Sequence, residues 1–450
     1  MIVTHRYLRR LGAVLPLLAA TITARGARAQ DTTLSLPLSL GDAARLAESR
    51  SASAVAARYR ADQATARVTQ ARAELLPDFS AVALGNGRSF NTATFGIPLP
   101  GFDPNGSVIS GVNTVDLRGH ASINLLDLGA LGRVRSARSM ARASSANAAS
   151  VAEEAATIAA IAYLSTQRAD AQLAARLADS VLADSLVGIA QAQLTAGVGV
   201  ALDVTRARAQ LASVRTQLIV ARNARDRTRL DLVRALGLPL GARVRLTDSL
   251  TENSVSDTTP SETAAIALAL SERPDLRAAD QRLTAARQGV SAIRSERLPR
   301  ISAFGDEGWI GLDMEHMLNT YTWGIQLSVP IFDGLRREGR MEEQRATTRE
   351  IEVRRRDLRQ QAAIEVRGAL LDLVSAREEV DAARVRLALA EQEVAQASDR
   401  FRSGVSGNAD AITATLALNN SRNLMIDALT NYQVARVALA HSEGAVTKLP

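Results

Sequence analysis

The sequence predicts a mainly helical chain built on very long coiled-coil helices, with four β-strands per chain that contribute to a transmembrane β-barrel. Three observations carry this. Proline is absent from 105–238 and from 331–449, which permits helices far longer than those of an ordinary globular domain. The stretch VDLRGHASINL (115–125) alternates strictly: Val115, Leu117, Gly119, Ala121, Ile123 and Leu125 fall on one side, and Asp116, Arg118, His120, Ser122 and Asn124 on the other. The chain is also two copies of one unit. Residues 43–81 align without a gap on 265–303, with Leu76-Pro77 on Leu298-Pro299, and Gly197-Val198 and Asp203 recur as Gly404-Val405 and Asp410. Each copy is much longer than a solenoid repeat, so a domain has been duplicated.

From the N-terminus, residues 1–29 read as a secretory signal peptide: five arginines and no acid, an apolar run from Leu11 to about Ile22, and Ala27-Arg28-Ala29 before Gln30. The apolar run is too short to span a bilayer. The formal charge of +7 lies mostly in this segment, so the balance gives no support for a nucleic-acid partner. There is no cysteine. The exported protein is therefore held by packing or oligomerisation, and it lacks the acylated cysteine of a lipoprotein.

The first structural repeat is expected over 30–236, a linker over 237–262, the second repeat over 263–445 and a tail over 446–450. Each repeat reads as helix, strand, loop, strand, long helix, returning helix. The first helices cover 42–76 and 264–298, with Pro274 breaking the second near its start. Strands follow at DFSAVALGN and RISAFGDEGW, separated by loops from VDLRGHASINL and YTWGIQLSVPI (321–331). The long helices are expected over 130–195 and 335–402, each on the order of 100 Å. Glycine turns separate them from returning helices at 202–236 and 409–444.

Nine of the fourteen Phe, Tyr and Trp residues, among them Phe79, Phe102, Trp309, Tyr321 and Trp323, lie in the strand regions. That is the girdle pattern of a membrane barrel, whose strands need about 9–11 residues. The apolar side of 115–125 then meets lipid, while Asp116, Arg118, His120, Ser122 and Asn124 face a water-filled lumen. A soluble hairpin with one buried face is the other reading of the same alternation. Four strands cannot close a barrel, and open edges are not tolerated in lipid, so several chains must share one.

The order of elements, with IFDGLRREGR (331–340), LTAGVGVALDVTRARAQL (194–211) and ALSERPDLRAA (269–279), resembles the TolC-like outer-membrane efflux proteins over about 38–445. The resemblance implies a homotrimer in the outer membrane of a Gram-negative bacterium. It would have a twelve-stranded barrel and a helical barrel crossing the periplasm. It also implies a periplasmic membrane-fusion adaptor and an inner-membrane pump of RND, ABC or MFS type as partners, outer-membrane lipid around the barrel, no cofactor and no catalysis. Asp203 and Asp410 match acidic positions near the periplasmic entrance. Each could equally stabilise its helix N-terminus. Thr413, Phe401 and Ser406 stand where that family often carries an acid, a Tyr and an Arg that tie the closed state. Gly197, Val198, Gly404 and Val405 match tips that meet the adaptor, and the glycines serve as C-caps in any case.

No metal site is expected from histidine spacing. The one local candidate is DMEHM (313–317), where Met314, His316 and Met317 suit a soft monovalent ion; a solvated loop tip explains the same residues. The charged run 336–361, with Glu350/Arg354 and Glu352/Arg356 at i,i+4 spacing, reads as a solvated helix face. The competing class is an exported coiled-coil scaffold or adhesion protein without a channel.

Overall fold

The structure, a computed structural model, describes residues 36–95, 103, 105–250 and 260–449. The expected signal peptide, Phe102 and residues 251–259 of the linker lie outside the described residues.

The first copy begins with β1 (Leu36–Leu38), α1 (Leu40–Arg50) and α2 (Ala52–Ala73). The hairpin β2 (Asp78–Asn91) and β3 (Val108–Leu126) follows, then α3 (Leu128–Thr195) and α4 (Ala201–Ala235). The second copy repeats this as β4 (Val244–Leu246), α5 (Glu262–Glu272), α6 (Pro274–Ser295), β5 (Arg300–Gly311), β6 (Met317–Ser328), α7 (Arg336–Arg402) and α8 (Asn408–Glu443). Sequence reasoning missed β1 and β4. They pair in parallel, Leu36 with Val244 and Leu38 with Leu246, so the two copies are joined at the same point.

The helix expected over 42–76 is two helices. Ser51 ends α1 and starts α2: its backbone is extended (φ −57°, ψ 143°) and its side chain accepts a hydrogen bond from Ala54 N. A capping serine offers the chain a local alternative to helix, so no proline is needed. In the second copy the break falls at Arg273-Pro274. Each break receives the end of the returning helix. Gly237 (φ +66°) lies so close to Arg50 that an added Cβ would stand 2.5 Å from the Arg50 carbonyl oxygen, and Gly444 (φ +72°) lies against Arg273. Thus α4 stacks end-on over α2, and α8 over α6.

α3 is 68 residues long, about 100 Å. It is capped by Asp127, which accepts from Ala130 N at 2.8 Å. Alanine dominates its buried positions, which lets neighbouring helices approach closely. It packs against α2 and α4 on one flank and α6 and α8 on the other. α7 packs on α6 and α8, with the short α5 beside it. The central core gathers Ala43, Ala47, Ala156, Ala160, Tyr163, Leu232, Leu236, Val437 and Val446. Tyr163 is wholly buried, and its hydroxyl lies 3.1 Å from both Leu38 O and Asp248 Oδ2. Burial pushes this phenol up to about 12.

The four long strands form one antiparallel sheet in the order β2-β3-β5-β6. β6 ends at Ser328, so Val329 and Ile331, expected to continue its alternation, lie beyond the strand. The chain instead turns into α7 through Gly334 (φ +70°) and Leu335 (φ 64°). A register shift between Asn124 and Leu126 also removes Leu125 from the apolar row; Leu126, opposite Ile301, takes its place.

Candidate functional site

Register assigns every paired strand residue to a face, because opposed residues share a side. Asp116, Arg118, His120, Ser122 and Asn124 share theirs with Ser80, Ser302, Asp306, Thr320, Thr322 and Gln326. The polar groups are joined along and across strands and to the end of α2. His120 Nδ1 lies 2.7 Å from Asp306, Arg118 pairs with Asp116 at 3.2 Å and reaches Thr320 at 3.4 Å, and Asn124 Nδ2 donates to Glu74 O at 2.8 Å. Asp306 and Thr320 were missed in the sequence; only cross-strand register brings them in. Val82, Leu84, Phe304, Ile310 and Leu318 also stand on this face, so it is mixed rather than uniformly polar.

The opposite face carries Phe79, Ala81, Leu117, Ala121, Trp309, Tyr321, Trp323, Ile325 and Leu327. Phe79 is 77% exposed and Trp323 76%. The strands' extensive contacts are with one another, and among the described residues no helix packs extensively on either face. A soluble hairpin would bury its apolar side; the described residues leave both sides of this sheet open, which speaks against that reading.

At the far end of the long helices stand the two turns. Gly197 (φ +76°) and Gly404 (φ +72°) close them, with Val198 N donating to Gln193 O at 3.0 Å and Val405 N to Arg400 O at 2.9 Å. This is the six-to-one bond of a Schellman C-cap, and it leaves the side chains of Val198 and Val405 exposed. Asp203 and Asp410 lie in the first turns of α4 and α8, and neither helix has a side-chain cap bond. The two helix pairs meet here. Gln193 Nε2 donates to Phe401 O at 2.7 Å, and Asn408 Nδ2 donates to Asp203 O at 2.6 Å. Phe401 is buried among Leu186, Ala190, Val204, Ala207 and Ala411. Asn408 Oδ1 and Ser406 Oγ are buried without partners. Gln193 and Asn408 gave no signal in the sequence, since an amide is informative only once its partner is known. Thr413 donates to Ala409 O within its own helix.

Further up the seam, Asp179 on α3 meets Arg422 on α8 at 3.0 Å and Arg176 at 3.0 Å. Burial pushes its carboxyl up, against the pull of both arginines. The charged run of α7 is more than a solvated face. Glu338, Arg340, Glu352 and Arg355 pair with Arg297 and Glu296, just past the end of α6, and with Arg287 and Asp280 on it. The Glu350–Arg354 pair forms at 2.6 Å, whereas Glu352 turns to Arg287 in place of Arg356.

At the β5–β6 tip, Asp313 accepts from Glu315 N, His316 N and His316 Nδ1, and these bonds, His316 first, hold its carboxyl below the usual range. His316 Nδ1 is thus engaged within the loop. Met314 is exposed and Met317 opens β6. Among the described residues no three His, Cys, Asp or Glu side chains converge on a metal position.

A long-helix body with an uncovered four-stranded sheet defines a class, and comparison with known proteins gives it a family. Residues 43–238 and 265–445 match the outer membrane efflux protein family, and the chain belongs to it. It is an outer-membrane protein of a family of channels rather than enzymes. Over 192 residues it is 30% identical to the toluene efflux pump outer membrane protein TtgF of Pseudomonas putida, covering 40% of this chain and 38% of that one. Over 150 residues it is 33% identical to the alkaline protease secretion protein AprF of Pseudomonas aeruginosa, covering 32% and 31%. The chain thus spans about two fifths or less of these relatives. The crystal structure of the Campylobacter jejuni CmeC outer membrane channel superposes with a TM-score of 0.75 at 20% identity, over 90% of this chain and 85% of that one.

Proposed function

We propose that the chain is one protomer of a trimeric exit duct, passing substrates from a periplasmic adaptor and an inner-membrane pump of RND, ABC or MFS type to the exterior, in efflux or type I secretion. The sheet carries the reading. Among the described residues its edges β2 and β6 have no strand partner, and both of its faces are open. In lipid such edges must be paired. Joining β6 of one copy to β2 of the next satisfies them, and a heterologous contact of that kind closes a ring. Three copies give twelve strands, with the apolar aromatic face toward lipid and Asp116, Arg118, His120, Ser122 and Asn124 toward the lumen.

The helices support the same order. α3 is flanked on both sides, while α7 leaves one flank bare. On that flank Ile364 and Leu371, 70% and 66% exposed, stand seven residues apart, the spacing of a coiled-coil seam. Exposed Ile219 and Val220 on α4 and Tyr59 on α2 offer the apolar surface to meet it.

The turns at Gly197-Val198 and Gly404-Val405 are the adaptor contacts in this reading, and the seam beside them is the gate. Phe401, Gln193 and Asn408 hold the two helix pairs together; the unpartnered Asn408 and Ser406 oxygens oppose closure, since an unsatisfied buried polar atom costs about 1–3 kcal/mol. Asp203 and Asp410 would form carboxylate rings that favour cations. No catalytic residue enters the reading.

The test is fractionation and conductance. A duct yields a heat-modifiable trimer in the outer-membrane fraction that conducts ions in a planar bilayer. Release by osmotic shock as a detergent-free monomer would sink the proposal in favour of a periplasmic scaffold.

A further inference from the structure

One charge is out of place on the apolar face of the sheet. Glu307 stands opposite Gly119 on one side and Tyr321 on the other, in the row that faces away from Asp306 and His120. Its carboxylate has no hydrogen bond or ion pair among the described residues, and the paired rows of this face carry no basic side chain. A carboxylate on a lipid-facing barrel surface is costly unless something neutralises it, and an unexplained one marks a site.

Its surroundings say what the partner is. Trp309 lies two residues along the same strand and face, Tyr321 directly opposite, and Trp323 diagonally beyond. At such positions Cβ atoms are about 4.5–8 Å apart, within reach of aromatic side chains. On the other flank Gly119 and Gly305 contribute no side chain. The result is a depression of roughly 790 Å³, with Phe79 at one side, Tyr321, Trp323 and Glu307 at the other and small residues between them; Ser80, His120, Asp306 and Thr322 also line it. Aromatic faces around a carboxylate are the recognition chemistry of an ammonium group, and an apolar floor beside them suits an acyl chain.

We propose that this groove binds one membrane lipid bearing an ammonium headgroup, with the headgroup held by Glu307, Tyr321 and Trp323 and the tail lying over Gly119, Ala121 and Gly305. The inference rests on the reading of this face as lipid-facing. Anionic lipids without an ammonium are disfavoured by the same carboxylate, so the site is selective in the membrane plane.

The test uses the full trimer in mild detergent, incubated with vesicles of equal phosphatidylethanolamine and phosphatidylglycerol, and reads retained lipid by native mass spectrometry. The wild type should retain phosphatidylethanolamine in preference. Glu307→Gln and, separately, Trp323→Leu, which keeps the apolar wall, should each lower that preference by about threefold or more. An unchanged lipid ratio in Glu307→Gln overturns the proposal, and so does an equal loss of both lipids, which would mean that the groove holds tails only. A wild type that is not a detergent-requiring trimer would instead condemn the duct reading, so the two failures are distinct.

Discussion

The two long helices occupy equivalent places in the two copies, yet they are buried very differently. α3 has buried residues along most of its length, from Gly129 to Ala190. In α7 nothing between Arg337 and Ala362 is buried. Composition follows: α3 is rich in alanine, whereas the first third of α7 alternates Arg and Glu. One chain supplies both flanks of α3 but only one flank of α7. A helix of about 100 Å cannot be stable with so little cover. In the proposed trimer its bare flank is the place where the next copy belongs.

Breaking that comparison has its largest effect at assembly. Replacing both Ile364 and Leu371 by Glu removes two apolar anchors from each junction, about 3–6 kcal/mol, and adds unpaired charge. The trimer should disappear on light scattering while the monomer keeps its helical circular dichroism. Leu164→Ala in α3 is the mirror experiment. Leu164 is 2% exposed inside one chain, so about 2–5 kcal/mol is lost from folding itself. If both variants merely lost helix, the distinction between the two helices would be wrong.

The next effect lies where the helices meet at the proposed gate. Phe401→Ala empties a site that joins α7 to α3 and α4, at a cost of about 3–5 kcal/mol confined to the tips. Single-channel conductance should rise. Gln193→Ala removes one neutral hydrogen bond, worth about 0.5–1.5 kcal/mol, and should raise open probability less. A closed Phe401→Ala channel would remove Phe401 from the gate.

α3 also carries the anchor of the central core, and that anchor titrates. Tyr163 has a pKa raised from the ordinary 10.0 to about 12, so the folded state holds its proton more tightly than the unfolded chain. Its contribution is complete below pH 10 and is lost as pH rises through about 12, roughly 2–3 kcal/mol in all. Tyr163→Phe should flatten the alkaline limb of the melting-temperature profile. α7 has no counterpart, and an equal alkaline loss in the variant would assign the effect elsewhere.

Much of this architecture is legible in the sequence because it depends on local rules. Proline-free runs marked α3 and α7 to within about two residues, and period-two alternation marked β3 and its polar face. What escaped depends on pairing. β1 and β4 are too short to show a period, the Ser51 break has no proline to announce it, and Asp306 becomes visible only beside His120. The contacts that join the two helix pairs beside the turns escaped for a related reason. Gln193 and Asn408 act through the backbone carbonyls of Phe401 and Asp203, which have no residue signature.

The smallest effect separates the two copies at their stacked joints. Gly237 and Gly444 both adopt a left-handed conformation, so alanine at either costs about 1–2 kcal/mol from backbone strain alone. They differ in space. A Cβ on Gly237 would meet the Arg50 carbonyl oxygen at 2.5 Å, whereas on Gly444 the nearest atom, Arg273 Cα, is 3.2 Å away. A backbone oxygen cannot move aside without disturbing the Ser51 cap, while the other contact needs a shift of only a few tenths of an ångström. Gly237→Ala should therefore exceed Gly444→Ala by about 1 kcal/mol in chemical denaturation. Equal losses would mean that strain alone sets both values, and that α4 does not stack on α2 as closely as the geometry requires.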